Sequence, residues 1–195
     1  MDSLAPENVE PRLRGRLGRP YRYLESCAST QREVTAGDRE GTVVATGHQT
    51  EGRGRLGRAW TDAPGTSLLF SLLLTPDAPA DRLPALTVLA AEAVAEAVGA
   101  GAEVKEPNDV LLNGRKVAGV LGEATQGRVV LGIGVNANQT PDELPPGTRL
   151  PATSLRIERG EPADRAELLV AILDALERRY ESWAVRPMDG ADASS

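Results

Sequence analysis

Residues 49–60 read Gln-Thr-Glu-Gly-Arg-Gly-Arg-Leu-Gly-Arg-Ala-Trp, with glycines at 52, 54 and 57 interleaved with arginines at 53, 55 and 58. Glycine permits positive φ and leaves backbone amides uncovered, while arginine adds a fixed charge with forked donors, so the stretch suits a phosphate or a carboxylate. A solvated Arg-Gly linker or a nonspecific RNA-binding segment has the same composition. The flanks argue against both: residues 42–46 and 67–74 are apolar runs of strand character, and a linker is not usually set between core strands. Gly52, Gly54 and Gly57 also satisfy G-x-G-x-x-G. The turn-forming Thr61-Asp62-Ala63-Pro64-Gly65 follows where a dinucleotide-binding motif needs a helix, and no Gly-Lys-Ser/Thr follows as a Walker motif requires.

The chain of 195 residues fits one domain with tails, and its net charge of −6 speaks against binding nucleic acid over the whole surface. The anionic partner of the loop must then be small or local. A single cysteine, Cys27, excludes an internal disulfide, and a single histidine, His48, excludes a multi-histidine metal site. No apolar run approaches a membrane span and no signal-peptide segment opens the chain, so the expected compartment is the cytoplasm. Residues 1–20 lack a hydrophobic period and carry Arg12, Arg14, Arg16 and Arg19. They are expected to form a flexible, solvated arm rather than a DNA-binding domain.

From Tyr21 the chain reads as structured. Thr30 and Glu33 have the spacing of a capping box, residues 84–98 form an apolar helix closed by Gly99, and residues 103–106 and 110–112 are short strands. Asn113-Gly114 predicts a type I′ hairpin joining 110–112 to a strand over 116–123, and Gln126-Gly127 leads to another strand over 128–135. A Pro-rich loop, 139–151, precedes a helix capped by Asp164 and Glu167 and bearing Leu168, Leu169, Ile172, Leu173, Leu176 and Tyr180 on one face. The tail, 187–195, reads as disordered.

Several motifs in this order resemble the catalytic domain of biotin protein ligases over roughly residues 21–186. They are Ser29-Thr30-Gln31, Gln49, the Gly-Arg run ending at Trp60, Lys105-Glu106-Pro107-Asn108-Asp109, Arg115-Lys116-Val117-Ala118-Gly119, Gly132-Ile133-Gly134-Val135-Asn136 and Ala152-Thr153-Ser154-Leu155. The resemblance implies an α+β fold, with a mixed, largely antiparallel sheet and helices packed on one side, as in lipoate ligases and class II synthetases. It implies a ligase that joins biotin to a lysine of a biotin carboxyl carrier domain through biotinyl-5'-AMP, using ATP and Mg²⁺. It implies no DNA or membrane partner and allows a homodimer. The expectation is a catalytic domain with neither an N-terminal winged helix nor a complete C-terminal β-barrel.

The implied biotin contacts are Ser29, Thr30, Gln31, Gln49, Gly52, Arg53, Arg55, Lys116 and Gly119, with Ser29, Thr30 and Gln49 on the ureido ring. The implied ATP and adenylate contacts are Arg53, Arg55, Arg58, Trp60, Asn108, Lys116 and Asn136. Lys116, Arg55 and Asp109 are the implied catalytic residues, and Asp109 is also the candidate metal ligand. The chemistry agrees, because making an acyl-adenylate chiefly requires holding a carboxylate against an α-phosphate and neutralising the crowded charge. Taken singly, Trp60 also reads as plain core, Asp109 as a turn cap and Lys116 as a surface lysine. Glu106 stands where the family motif has tryptophan, so it is expected to turn to solvent or to pair with Lys105 or a loop arginine. Two rival readings are a lipoyl or octanoyl transferase of the same fold and a non-catalytic biotin- or nucleotide-binding relative.

Overall fold

The structure, a computed structural model, describes residues 4–146 and 148–185; the expected tail, 187–195, lies outside the described residues. Its centre is a strand that is buried along its whole length, β3 (Ser67–Leu74). On one side β3 pairs with β2 (Val43–Thr46), and β2 with β1 (Tyr21–Leu24); on the other it meets β7 (Arg128–Asn136), β6 (Arg115–Thr125), β5 (Asp109–Leu112) and β4 (Ala102–Lys105) in turn. The β1–β2 pairing is parallel and all others are antiparallel. The sheet is therefore mixed and largely antiparallel, as expected. Both expected hairpin turns form with left-handed φ at each central residue: 52° and 76° at Asn113-Gly114, and 52° and 76° at Gln126-Gly127.

Alternation along the strands divides the sheet into two faces with different duties. Leu68, Phe70, Leu72 and Leu74 of β3, with Val129, Leu131, Ile133 and Val135 of β7, join the core beneath α3 (Ala85–Val98) and α5 (Arg165–Val185). Asp164 caps α5 as expected, its Oδ1 accepting from the Ala166 and Glu167 amides at 2.9 and 3.1 Å. The other face carries Ser71, Gly119, Gly132 and Gly134 beneath the short α2 (Thr30–Glu33) and the Gly-Arg loop. The expected capping box does not form. Ser29 is the N-cap, and the Thr30 hydroxyl instead bonds Ser71 Oγ at 2.8 Å, because α2 lies close enough to β3 for a buried hydroxyl pair. A further helix, α4 (Leu155–Arg159), was not anticipated from the sequence. It is capped by Ser154, whose Oγ accepts from the Ile157 amide at 3.2 Å.

The N-terminal segment corrects an expectation. From residue 4 onward it is packed: α1 (Pro6–Val9) and the turn after it bury Leu4, Val9, Leu13 and Leu17 in the main core. The arginines that read as a basic patch are absorbed locally. Arg12 pairs with Asp164 at 2.9 Å and Arg16 with Glu177 at 3.5 Å, while Arg19 donates to the Leu13 carbonyl at 3.0 Å. Tyr21 Oη donates to the Leu4 carbonyl at 2.7 Å, tying the segment to β1.

Leu17 is 1% exposed. Leu17→Ala is expected to destabilise the protein by about 2–4 kcal/mol in urea unfolding, as for other core leucines. A loss below about 0.5 kcal/mol, the ordinary range for a surface site, would mean that the segment is peripheral after all.

Candidate functional site

The chain leaves the sheet at Gly47 and re-enters it at β3, and the intervening loop folds back on itself as a miniature hairpin. Arg53 bridges Ala59, the Gly54 amide donates to the Arg58 carbonyl at 2.7 Å, and the Trp60 amide donates to the Gly52 carbonyl at 2.9 Å. Its tip, Arg55–Gly57, turns through positive φ at Leu56 (58°) and Gly57 (72°). Gly52 does not line the cavity, contrary to expectation. A Cβ there would stand 2.3 Å from the Trp60 carbonyl oxygen, so this glycine lets the two limbs of the loop close.

Closing the limbs directs Trp60 onto the sheet. Its indole lies over Gly119 and Gly134, which are cross-strand partners, and added Cβ atoms would stand 3.1 and 2.7 Å from the ring. Gly132 does the same for Gln31, whose Cδ would be 2.9 Å from a Cβ and whose Nε2 donates to the Leu121 carbonyl at 3.1 Å. Between loop and sheet is a cavity of about 380 Å³, within the range of small-molecule sites. Ser29, Thr30, Gln31, Gln49, Arg53, Arg55, Arg58, Trp60, Asn108, Asp109, Lys116, Gly119 and Asn136 all line it. Sequence reasoning missed most of one wall, Pro145 and residues 148–150, which carried no signal beyond lying in a Pro-rich loop. A backbone bridge places that wall: the Lys116 amide donates to the Pro151 carbonyl at 2.8 Å, and the Thr153 amide to the Lys116 carbonyl at 2.9 Å.

Lys116 reaches the cavity because of a β-bulge. Val110 pairs with Ala118 but Leu111 pairs with Lys116, so Val117 is an extra residue in β6. Strict alternation from Gly119 would put Lys116 on the helix side; the bulge returns it to the cavity face with Asp109, which pairs with Gly119. There Lys116 Nζ stands 2.6 Å from Asp109 Oδ1 and 5.7 Å from the centroid of the Trp60 ring. Arg53 reaches across to Glu123 at 2.5 Å, and Arg55 Nη1 donates to Asn108 Oδ1 at 3.2 Å. Those loop contacts are exposed, and exposed pairs contribute roughly 0–1 kcal/mol, so an incoming anion can replace them.

At the other end, Gln49 Oε1 accepts from the Thr30 amide at 2.8 Å and from its hydroxyl at 3.2 Å. Trp60 Nε1 is buried without a partner among the described residues. Asn136 is engaged by the protein: its Nδ2 donates to the Thr153 carbonyl at 3.0 Å and its Oδ1 accepts from Gln139 at 3.2 Å. It braces the wall more than it reaches inward. Glu106 is exposed and lies outside the cavity lining.

As a metal site the arrangement fits poorly. Asp109 already pairs with Lys116, and among the described residues no three His, Cys, Asp or Glu side chains cluster. A magnesium ion here would be held chiefly by phosphate oxygens of a substrate.

Residues 25–139 match the model of the biotin/lipoate A/B protein ligase family. The chain is 41% identical over 170 residues to the bifunctional ligase/repressor BirA of Bacillus subtilis (strain 168), covering 82% of this chain and 52% of the relative. It is 35% identical to the biotin–[acetyl-CoA-carboxylase] ligase of Mycobacterium tuberculosis, covering 93% and 74% of the two chains. Among solved structures, the Aquifex aeolicus biotin protein ligase in complex with biotin and ATP matches with a TM-score of 0.74 and 33% identity, over 83% of this chain and 70% of that one. The chain thus spans about half the length of the Bacillus relative. Among the described residues no helix is long and apolar enough to cross a membrane.

Because the indole occupies the space of two absent Cβ atoms, Gly134→Ala is expected to cost roughly 1–3 kcal/mol in thermal unfolding, as overpacking generally does. In a Trp183→Phe background the remaining tryptophan emission should shift to the red as Trp60 is pushed towards water. No shift and no loss of stability would show that the ring does not rest on this floor.

Proposed function

Since the chain belongs to the biotin/lipoate A/B protein ligase family, we propose that it is an ATP-dependent biotin protein ligase. In the first reaction a biotin carboxylate oxygen attacks the α-phosphorus of ATP, forming biotinyl-5'-AMP and releasing pyrophosphate. In the second, a deprotonated lysine amine of a biotin carboxyl carrier domain attacks the acyl carbon, forming the amide and releasing AMP. Its use of ATP argues for a cytoplasmic site of action.

The observation that carries this reading is the return of Lys116 to the cavity face by the bulge in β6, beside Trp60 and facing a loop of three arginines. Carboxylate and triphosphate repel each other, and fixed cations in a partly closed cavity offset that repulsion where the two must meet. Thr30 and Gln49, on α2 and the loop base, form the polar end suited to the ureido group. Arg53 and Arg55 exchange Glu123 and Asn108 for phosphate and carboxylate oxygens when ligand enters. Asp109 holds the Lys116 ammonium in place and faces the route by which the acceptor amine arrives.

The octanoyl-transferase alternative loses its nucleophile. Cys27 does not line the cavity, and burial raises its thiol above the ordinary range, the opposite of what an attacking thiolate needs.

Incubation with biotin, ATP and a carrier domain, read by intact-protein mass spectrometry, should show one added biotin. Lys116→Ala is expected to lower adenylate formation by roughly 10²–10³-fold, the scale of a lost transition-state donor, with thermal stability little changed. A loss below tenfold with the fold intact would retire this role for the lysine. Transfer of octanoate or lipoate in place of biotin would overturn the substrate assignment.

A further inference from the structure

Asp62 and His48 form a pair that the chemistry above does not use. Asp62 stands near the exit of the Gly-Arg loop and His48 near its entrance, with the Gly65 amide donating to the Gly47 carbonyl at 2.9 Å just below them. The Asp62 side chain is fully buried; Oδ2 meets His48 Nδ1 at 2.9 Å, while Oδ1 has no partner among the described residues. Burial raises this carboxyl above the usual range, against the lowering effect of His48 and of the Gln49 backbone N–H that faces it.

A half-satisfied buried carboxyl weakens a fold, and an apolar side chain of similar size would serve packing better. What the carboxyl does hold is the imidazole of His48, the residue that precedes Gln49 in the chain. The His48 carbonyl accepts from the Cys27 amide at 3.1 Å and from Thr46 Oγ1 at 3.0 Å, and the next side chain, Gln49, spends its Oε1 on Thr30. The Gln49 side chain is thus held at its tip by Thr30, while the Asp62–His48 pair anchors the residue before it.

We infer that Asp62 is a positioning residue for biotin recognition: acting through His48, the neighbour of Gln49 in the chain, it sets the Gln49 side chain at the polar end of the cavity. This rests on the biotin ligase reading above. An Asp62 that served only the fold would affect stability and both substrates together. One that positions Gln49 would affect biotin selectively, and only while Gln49 is present.

The test is calorimetric titration of biotin and, separately, of ATP into the wild type, Asp62→Ala, Asp62→Asn, Gln49→Ala and the Asp62→Ala/Gln49→Ala double variant, with melting temperatures alongside. Asp62→Ala is expected to raise the biotin Kd about tenfold, the upper range for one lost hydrogen bond, with ATP affinity within about twofold. Asp62→Asn keeps the shape and an acceptor for His48, and should stay within about threefold of the wild type. In the Gln49→Ala background the Asp62→Ala effect should fall below about twofold, because residues acting through one group are not additive. If Ala at position 62 prevents folding, His48→Ala breaks the same bond from its more exposed side and should give the same Gln49-dependent loss. Unchanged biotin affinity in Asp62→Ala, or effects that multiply fully with those of Gln49→Ala, would overturn the inference while leaving the ligase reading intact. A wild type that binds ATP but not biotin would overturn both.

Discussion

Gly119 and Gly134 face each other across β6 and β7, and the volume their side chains would fill is taken by the indole of Trp60. Much of the site depends on that substitution of one residue's ring for two residues' Cβ atoms. A sheet whose first face is sealed by α3 and α5 can leave its second face open, but an ordinary alternation of valines and leucines there would fill the space a ligand needs. Glycine at 119, 132 and 134 lowers the floor by one side chain, and Trp60 and Gln31 settle into the resulting trough. The contact also fixes the loop: with its indole seated, the second limb of the Gly-Arg hairpin has one height above the sheet.

The charged groups are placed by a different device. A regular β6 would send the side chain of Lys116 towards the helices, into the core beside Ala118 and Val120, where an unpaired ammonium is excluded by desolvation. The extra residue at Val117 changes the facing of Lys116 without moving Gly119, and the backbone bridge to Pro151 and Thr153 supports the irregular stretch from outside the sheet. Asp109 then meets the ammonium at 2.6 Å, the carboxylate and lysine coming from adjacent strands. Rigid strands hold this pair, whereas the arginines ride on the loop. The fixed and the movable cations of the site are thus segregated by element.

Legibility in the sequence follows the same division. The type I′ hairpin at Asn113-Gly114 was readable because Asn-Gly is the preferred pair for it, the turn at Gln126-Gly127 because it separates two strand-like runs, and the long β3 because an eight-residue apolar run has one natural place in a sheet. The glycine-arginine loop and the lysine stood out in the sequence, and both line the cavity. The bulge was not, since nothing in Arg-Lys-Val-Ala-Gly announces an extra residue; it exists by virtue of the partner register. The N-terminal segment misled because its apolar residues, 4, 9, 13 and 17, are spread among arginines whose acidic partners, Asp164 and Glu177, lie more than a hundred residues away. Thr30 and Glu33 have capping-box spacing, yet a buried serine on β3 won the hydroxyl. In both cases the deciding contact was long-range, which local pattern cannot contain.

The loop's own anatomy joins these points to function. Its base is held by buried or backbone bonds, Gly65 to Gly47, Asp62 to His48 and Trp60 to Gly52, and its second limb by the seated indole. Its tip is different: Leu56 is 86% exposed in a left-handed conformation, and the tip arginine, Arg55, touches the far wall through a single hydrogen bond at 3.2 Å. Stability therefore falls from base to tip, and parts that bind and release ligands are drawn from the low-stability end. Under the ligase reading, a ligand entering the cavity would displace only exposed, weak contacts at the arginines, while the residues of the cavity floor stay fixed by the sheet. That gradient suits one short segment to serve as both a rigid wall and a movable cover.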